Sequence, residues 1–573
     1  MNQTLHLVNK DARRLRWAIL AWLLIAAATA GLMVARPALD LQGFGVSMAV
    51  GQLSSLVSLI ELVTMVLIVS WLVHEDPAAN RDAFWLTRPI NWRQLSSAKV
   101  AVASTVLVCV PVVAQLIVMR MFGLTANNMA RATSSILLSQ AAWVTMLMAA
   151  AALTPSLTRY AIVLVGAAAA FVLIEGVMIT TVVLFVGVTD SSPGPEQIDP
   201  LPGLITSSTT IVASIAIVFL QYRYRRIKWS AGLAALAVVT IFLIPIVWPA
   251  DLRRLPDPDP GEWAQDQTRV AVHVDPEPPN VSDEMSFRSR GALKKRIAAP
   301  VRLSGLPNDF FVQGVQATSR LDVAGKTLSS VTAESVPVRR AGTSNTTYAN
   351  ALSAMQGALG TVRLLTSMAR EEADLWPVLL SLTHQDFAQF GHAAGRLTST
   401  VDFYLGRATV TGSIPLEEGA ALKENRRRLD IVRIDRRIDG CTVDLRVVSV
   451  GPVFRPRVPS RDEFVLRNAV RGEAVTAGVE SSTPGRSSPF GFLLGMALGG
   501  GGYAAHADPN APGFSAVAFR YRFPAADPMG GAVGPVIDAG WLSGAELVRI
   551  NIAYAGHLTR PLTIENFRMT SNR

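Results

Sequence analysis

Long apolar segments crowd the first 250 residues and restrict that half of the chain to a membrane fold. Residues 17–35 carry no charge, and their number is close to the ~20 residues with which an α-helix crosses ~30 Å of hydrocarbon. The run is also longer than the apolar region of a cleaved signal peptide, so we interpret it as a true span. We predict seven spans, at residues 17–35, 53–73, 100–119, 133–153, 160–188, 204–220 and 229–248. The segment 204–220 is the shortest and is rich in hydroxyl side chains, and whether it crosses fully stays open.

The positive charges indicate which way these helices cross. Lys and Arg are frequent in one alternate set of connecting segments, at residues 10–16, 81–99, 159 and 223–228, and sparse in the other set. Cytoplasmic loops of membrane proteins carry such an excess. We therefore expect a multi-pass protein of the bacterial inner (cytoplasmic) membrane, with a cytoplasmic N-terminus and a periplasmic or extracellular C-terminal domain. The formal net charge of +10 then reflects topology, and we expect the lipid bilayer, not nucleic acid, as a partner.

Residues 1–16 precede the first span and carry an amphipathic pattern. Leu5, Val8, Ala12 and Leu15 fall on one helical stripe, and basic residues occupy the rest of the surface. This spacing predicts an amphipathic helix in the membrane interface. A frayed basic terminus fits so short a segment equally well.

Two acidic residues, Glu61 and Glu175, fall inside predicted spans. An ionised side chain in the middle of the membrane costs at least ~2.5–3.5 kcal/mol, so each should face the bundle interior or a hydrated cavity. One interpretation is a substrate or proton pathway. The other, which we favour, is a hydrogen-bonded carboxyl that fixes helix packing.

The second half of the chain has the alternating pattern of β-strands. Residues 250–266 form a linker rich in Pro and Asp, and residues 267–573 alternate apolar and polar side chains between Gly, Pro, Asn and Asp breaks. We predict strands at 269–274, 310–315, 335–339, 399–405, 408–413, 429–434, 442–450, 546–554 and 562–569, and a helix within 348–370. The expected fold class is an α-helical multi-span membrane bundle of six to seven transmembrane helices, followed by a β-rich, sandwich-like extracytoplasmic domain. Its length allows two subdomains that meet near 348–375.

The sequence contains no motif of a known catalytic site. It has no Gly-x-Ser-x-Gly, no His-Glu-x-x-His and no Cys/His ligand set. His384, Asp386 and His392 are the only clustered side chains of the metal-binding type, and their spacing matches no metal signature, so we interpret them as a polar cluster. We expect no catalytic residue, no cofactor and no metal in this chain, and we do not expect it to be an enzyme.

The polar segment between the second and third predicted spans, residues 74–99, is the candidate functional element. Its notable residues are three arginines, an aromatic wedge and a proline: Arg81, Arg88, Arg93, Phe84-Trp85-Leu86 and Pro89. Together with Glu75-Asp76-Pro77 and Ala98-Lys99, the segment resembles the cytoplasmic loop of the ABC-2 type permeases, the membrane subunits of ABC exporters. In that family a Pro-Ile/Val-Ser-Arg-like turn leads to a Gly/Ala-Lys at the third span. This chain has Pro89-Ile90 and Arg93, but Asn91-Trp92 replace the small hydroxyl residue, and the resemblance covers roughly residues 1–225.

The resemblance implies a permease subunit of an ABC-2-like export system. Such a subunit acts with a second permease copy or paralogue and with a separate cytosolic ATP-binding cassette ATPase, which would hydrolyse the ATP. The coupling residues would be Arg81, Phe84, Trp85, Leu86, Arg88, Pro89 and Arg93. The wedge would bury its rings in a cleft of the ATPase, and the arginines would pair with acidic groups around that cleft.

Two alternatives stay open. The segment alone also fits an interfacial loop whose tryptophans lie at headgroup level and whose arginines contact anionic lipid. The whole chain also fits a non-transporting, membrane-anchored binding or scaffold protein that acts through its outer β-rich domain.

Overall fold

The computed structural model describes residues 3–42, 44–75, 91–166, 201–224, 227–247, 269–274, 278–283, 294–334, 346–365, 375–424, 426–438, 440–450, 460–482, 514–524 and 537–569. In these residues an all-helical half is followed by a half built mainly from β-strands. This confirms the predicted fold class at that level. The predicted linker at 250–266 lies outside the described residues.

The helical half begins with a short helix and continues with long apolar ones. The helices are α1 Gln3–Arg14, α2 Arg16–Leu39, α3 Phe44–His74, α4 Trp92–Ala103, α5 Val110–Met121, α6 Ala126–Leu153, α7 Leu157–Gly166, α8 Leu201–Tyr224 and α9 Ile227–Val247. A 3-10 turn, Asp40–Gln42, joins α2 to α3, and a π-helical turn, Ser104–Cys109, joins α4 to α5.

Five helices among the described residues are long and apolar enough to cross a membrane. They are Arg16–Leu39, Ala49–His74, Trp92–Met121, Ala126–Leu153 and Leu204–Tyr224, and the last contains the segment 204–220. The predicted spans at 160–188 and 229–248 correspond in these residues to the apolar helices α7, Leu157–Gly166, and α9, Ile227–Val247, and residues 167–188 lie outside the described residues. A multi-span membrane bundle is therefore confirmed, and the count of six to seven spans stays a prediction.

The third span contains an irregularity at its centre. Pro111 cannot donate a backbone hydrogen bond, and its ring crowds the carbonyl of Leu107 one turn earlier. The chain accommodates it with the π-helical turn over Ser104–Cys109, which interrupts the regular hydrogen-bond ladder. The carbonyl of Val106 in this turn accepts a hydrogen bond from Nε1 of the buried Trp22 at 2.8 Å. The irregularity thus fixes α2 to the third span.

The β half contains two large and two small sheets in the described residues. Its strands are β1 Ala271–Val274, β2 Asn280–Asp283, β3 Lys294–Ala298, β4 Val301–Ser304, β5 Phe310–Val323, β6 Lys326–Glu334, β7 Arg363–Leu365, β8 Val378–Thr383, β9 Gly395–Pro415, β10 Ala421–Lys423, β11 Arg427–Arg437, β12 Gly440–Val450, β13 Ser460–Asn468, β14 Glu473–Thr476, β15 Gly478–Ser482, β16 Phe514–Phe523 and β17 Ala545–Phe567. Three helices accompany them: α10 Thr346–Leu359, α11 His384–Phe390 and α12 Ala539–Leu542. The sheets have the orders β6-β5-β9-β17-β13-β14-β7, β10-β11-β12-β16-β15, β2-β3-β8 and β1-β4.

Two strands of the seven-stranded sheet are much longer than the sequence predicts. The predicted pair 399–405 and 408–413 is one strand, β9, and the predicted pair 546–554 and 562–569 is one strand, β17. The glycines that read as breaks lie on either side of one shift of register, where Gly406 pairs with Tyr554 and Gly556 pairs with Leu405. A β-bulge there lets both strands continue, and the φ of 128° at Gly556 is one that glycine adopts without strain.

The long strands carry two cores. Towards one end, β5, β9 and β17 pack against β3 and β8 around Leu380 and Phe403. Towards the other end, β13, β14 and β17 face the five-stranded sheet through Leu547 and Leu445, and they face α10 on the opposite side through Val548. The two sandwich-like halves therefore share β9 and β17. The helix α10 lies in the region where the sequence predicts one.

The β half rests on the bundle through its five-stranded sheet. Val448 and Val450 of β12 and Phe514 of β16 share an apolar cluster with Met119 near the end of α5 and Ala132 near the start of α6. The end of α2 joins the same cluster. We refer to this side of the bundle as the β end.

Candidate functional site: the anchor of the 76–90 segment

The segment that the sequence singles out leaves the bundle at the end of α3 and returns at the start of α4. These helix ends are opposite the β end, and we refer to them as the loop end. Of the predicted coupling residues, Arg93 lies in α4 and is exposed, whereas six lie outside the described residues: Arg81, Phe84, Trp85, Leu86, Arg88 and Pro89. The structure does describe what holds the two ends of the segment. We name the charged residues there the loop anchor: Lys10, Asp11, Arg14, Glu75 and Lys99.

A buried ion pair joins α1 to α4. Lys99 is 1% exposed and Asp11 is 2% exposed, and Nζ of Lys99 lies 3.7 Å from Oδ2 of Asp11. The same ammonium donates to the carbonyl oxygen of Leu72 in the last turn of α3. Carbonyls in that turn lack intrahelical partners, and the negative end of the helix dipole attracts a cation. Lys99 therefore ties α1, α3 and α4 together beside the segment.

The second part of the loop anchor is at Glu75, the last described residue before the segment. Nζ of Lys10 lies 3.1 Å from Oε1 of Glu75, and Arg14 makes a salt bridge to the same oxygen. The side chains of Lys10 and Arg14 are exposed, so solvent and salt screen these pairs far more than the buried one. The helix α1 thus contacts the chain on both sides of the segment, at Glu75 before it and at Lys99 after it.

The sequence of α1 explains this placement. Val8, Asp11 and Leu15 recur every three to four residues, and together with Leu7 they face the neighbouring helices. Leu5, at the start of the predicted apolar stripe, is 65% exposed and lies outside the buried face of α1. The ion pair with Lys99 centres that buried face on Asp11. That α1 lies in the membrane interface stays a prediction.

Aromatic and cation–π contacts fix the start of α4, where the segment ends. Asn91 caps α4, because its Oδ1 accepts a hydrogen bond from the backbone N–H of Arg93 at 3.0 Å. Trp92 packs edge-on against Phe219 of α8 with 5.4 Å between ring centroids, and the guanidinium of Arg223 lies 5.7 Å from the Trp92 ring. Asn91 and Trp92 are the residues at which this chain departs from the ABC-2 pattern. In the structure they start α4 and fix it to α8.

His74 joins the end of α3 to the end of α6. Nδ1 of His74 lies 2.9 Å from the carbonyl oxygen of Ser70, so this nitrogen is the donor, and Nε2 lies 3.1 Å from Oγ1 of Thr154. The His74 ring also contacts Tyr160 of α7, at 5.6 Å between centroids. The loop end is therefore one connected cluster of α1, α3, α4, α6, α7 and α8, and it provides a firm base for the segment.

The predicted intramembrane acids lie away from this cluster. Glu61 is half-buried near the middle of α3, and Oγ1 of Thr29 in α2 donates to its Oε2 at 3.5 Å. Such an interhelical hydrogen bond is what the packing interpretation predicts. Glu175 lies outside the described residues.

The polar cluster in the β half is held by ion pairs. Asp386 accepts hydrogen bonds from Nζ of Lys326 and Oγ1 of Thr383, both at 2.8 Å, and these donors hold its pKa below the usual range of an aspartate. His384 lies 3.7 Å from Asp283 instead. In the part of the chain that the structure describes, no group of three or more His, Cys, Asp or Glu side chains is arranged to hold a metal.

The loop anchor is not predicted from the sequence, although one signal of it is present there. In the sequence Lys10 and Arg14 fit membrane topology, and nothing assigns them a partner. Asp11 is the only acidic residue among the first 39, and it falls between Val8 and Leu15 on a helical stripe. A single acid on an apolar stripe of a basic segment indicates a buried ion pair, because an unpaired buried carboxylate is too costly.

The fold and the loop anchor define a multi-span membrane protein. It carries a β-rich domain at one end of its helices and, at the other end, a polar segment whose flanking residues are held by ion pairs. No protein-family model, no curated protein and no solved structure matches the chain. The loop anchor and the resemblance in residues 74–99 are therefore the two observations that bear on its function.

Proposed function

We propose that this protein is the membrane permease subunit of an ABC-2-like export system, coupled through residues 74–99 to a separate cytosolic ATP-binding cassette ATPase. The observation that carries this proposal is the loop anchor. A segment that transmits the movement of a partner to membrane helices must be firmly attached to them. Here α1, α3 and α4 hold the segment on both sides, through Glu75 and Lys99.

The residues of the segment fit a protein partner. Buried aromatic side chains and arginines dominate the energetics of protein interfaces, and the segment offers Phe84, Trp85 and three arginines within a short stretch. The excess of Lys and Arg at the loop end supports a cytoplasmic position for the segment, where an ATPase has access to ATP. The β end would then face the periplasm or the exterior. A second permease copy or paralogue would complete the assembly, as in the family that the segment resembles.

The alternative is a scaffold protein that acts only through its β half. In that case the helices are mere anchors, and the β half should function on any single span. The apolar cluster that joins β12 and β16 to α2, α5 and α6 favours the permease, because a passive anchor does not require docking on three helices.

Co-purification from solubilised membranes tests the proposal. We expect the wild-type protein to recover an ATPase, and the double variant Phe84→Ala/Trp85→Ala to recover at least about tenfold less, because truncating a buried aromatic anchor costs roughly 2 kcal/mol or more. The matched control is Trp17→Ala, which removes an exposed tryptophan at the loop end of α2 and should leave recovery unchanged. Normal recovery of the ATPase by the double variant would refute the coupling.

A further inference from the structure

Three basic side chains of the β half lie on one face of the five-stranded sheet. They are Lys423 of β10, Arg428 of β11 and Arg446 of β12, and we name them the basic cluster. Lys423 is directly opposite Arg428 in the register of the sheet, and Asp430 of β11 is directly opposite Arg446. Residues in such positions share a face, as do residues two apart on a strand. The basic cluster therefore contains one acidic neighbour, Asp430, on its own face.

This face of the sheet is the one that rests on the helical bundle. Val448 of β12 is directly opposite Arg428, and it packs in the apolar cluster that contains Met119 of α5 and Ala132 of α6. On the other side of Arg428, β10 is the edge strand of the sheet. The row Val448, Arg428, Lys423 thus leads from the contact with the bundle out to the sheet edge, and the basic cluster lies at the margin of that contact.

The α5–α6 turn places the basic cluster at the level of the lipid headgroups. The third span ends at residue 121 and the fourth begins at residue 126, so Phe122 and Gly123 lie at the boundary between membrane and water. The guanidinium of Arg446 lies 5.4 Å from the centroid of the Phe122 ring. Gly123 has a φ of 71°, and Nη1 of Arg428 fills the space that a Cβ atom there would need. Both arginines therefore contact the turn that joins two spans.

Asp430 holds both arginines and leaves donors for a further anion. Its carboxylate is buried and accepts hydrogen bonds from Nε of Arg428 at 2.7 Å and from Nε and Nη2 of Arg446 at 3.2 and 3.0 Å. Within the described residues, no protein acceptor is bound to Nη1 or Nη2 of Arg428 or to Nη1 of Arg446, and the exposed Lys423 has no ion pair. Three positive charges thus face one negative charge. Guanidinium groups that are fixed in this way suit a phosphate group.

An apolar stripe on α5 leads to the same turn. Val113, Ile117 and Met121 are four residues apart, so they share one face of the helix, and each is more than half exposed. We name these residues the α5 stripe. In a membrane-spanning helix, an exposed apolar face contacts the acyl chains of the lipids. The α5 stripe ends two residues before Gly123, and the exposed Arg120 adds a positive charge beside its end.

We propose that the basic cluster binds the phosphate group of an anionic phospholipid in the leaflet at the β end, while an acyl chain of that lipid lies along the α5 stripe. Basic pockets beside membrane helices recognise lipid headgroups in this way. The lipid bridges the two halves of the protein, because its phosphate contacts β10, β11 and β12 and its acyl chain contacts α5. The site requires only that α5 and α6 cross the membrane, so it does not depend on the proposed coupling to an ATPase.

Native mass spectrometry of the intact chain, titrated in detergent with phosphatidylglycerol or phosphatidylcholine, tests the proposal. We expect the wild-type protein to retain one phosphatidylglycerol at concentrations at which phosphatidylcholine is not retained. Lys423→Gln should weaken the binding of phosphatidylglycerol about fivefold, since a basic residue at an anionic lipid surface contributes about that much. Arg428→Gln/Asp430→Asn/Arg446→Gln should abolish the preference for phosphatidylglycerol. This triple variant includes Asp430→Asn because a buried carboxylate without its partners would destabilise the fold.

The matched control is Lys294→Gln, which removes an exposed lysine from β3 in another sheet and should leave lipid binding unchanged. Equal binding of the two lipids by the wild type, or a loss that Lys294→Gln shares, would overturn the proposal. Displacement of phosphatidylglycerol by millimolar inorganic phosphate would assign the cluster to a free anion instead of a lipid. A dimer that the triple variant loses, with lipid binding unchanged, would assign the cluster to a second copy of the chain. The result for Lys423→Gln stands even if the triple variant does not fold, because Lys423 is exposed.

Discussion

The two ends of the helical bundle are held by different kinds of interaction. At the loop end, ion pairs hold α1 in place, above all the buried pair Asp11–Lys99. At the β end, the contact between the two halves of the protein is apolar and aromatic. Phe122 packs against Phe514 with 5.8 Å between ring centroids, and the guanidinium of Arg446 lies 5.4 Å from the centroid of the Phe122 ring.

This difference indicates that the two ends of the bundle respond differently to a change in nearby charge. Apolar packing is not weakened by the screening of charges and is lost only when the surfaces separate, so the β half should move together with the helices on which it rests. Ion pairs depend on each partner being present, charged and correctly placed, so a neighbouring charge can shift them. We therefore expect changes of state to begin at the loop end.

The largest effect is expected from Lys99→Met. The variant leaves the carboxylate of Asp11 buried without its cationic partner and removes the donor to the Leu72 carbonyl. Breaking a buried pair in this way costs about 3–5 kcal/mol. Thermal unfolding of the solubilised protein and hydrogen exchange of the α1 amides measure the loss.

The matched control for this prediction is the double variant Asp11→Asn/Lys99→Met. It removes both charges, so most of the lost stability should return. A double variant no more stable than Lys99→Met alone would show that the ion pair does not hold α1.

A smaller effect is expected from Phe122→Ala at the β end. The substitution removes the ring between Phe514 and Arg446 and should cost about 3 kcal/mol. Hydrogen exchange should rise in β12 and β16, and the cost should be the same at low and high salt. The neighbouring Met121→Ala, which truncates an exposed side chain, is the control and should change little. If exchange rises equally in α1, the two ends are not independent and the comparison fails.

The sequence predicts the membrane half and the β half better than it predicts contacts between residues that are distant in the chain. Run length alone identifies the membrane half, and alternation identifies the β half. The alternation divides β9 and β17 into two predicted strands each, because a glycine in a sequence indicates a strand break unless its cross-strand partner is known. Gly406 and Gly556 continue their strands because both lie next to the β-bulge at which the register between β9 and β17 shifts.

The loop anchor also depends on contacts that the local sequence pattern does not reveal. Lys10, Arg14 and Lys99 look like topology signals in a sequence, and that role is compatible with their pairing. Asp11 and Lys99 are separated by two spans, so nothing in the local pattern indicates that they meet. The rotation of α1 about its own axis depends on this long-range pair, so the apolar stripe alone does not show that Asp11 is at the centre of the buried face.

The smallest predicted effect distinguishes the exposed from the buried part of the loop anchor. Glu75→Gln removes the partner of Lys10 and Arg14, whose exposed side chains contribute at most about 1 kcal/mol through such pairs. The loss should be measurable at low salt and should vanish near 1 M salt, where the screening length is about 3 Å. The loss in Lys99→Met should persist at that salt concentration, because solvent ions do not reach the buried pair. The control is Glu565→Gln, which breaks an exposed pair with Arg396 far from the segment and should change stability by a few tenths of a kcal/mol. If the effect of Glu75→Gln matches that of Lys99→Met and ignores salt, then the five residues act as one buried network, and the loop end is as rigid as the β end.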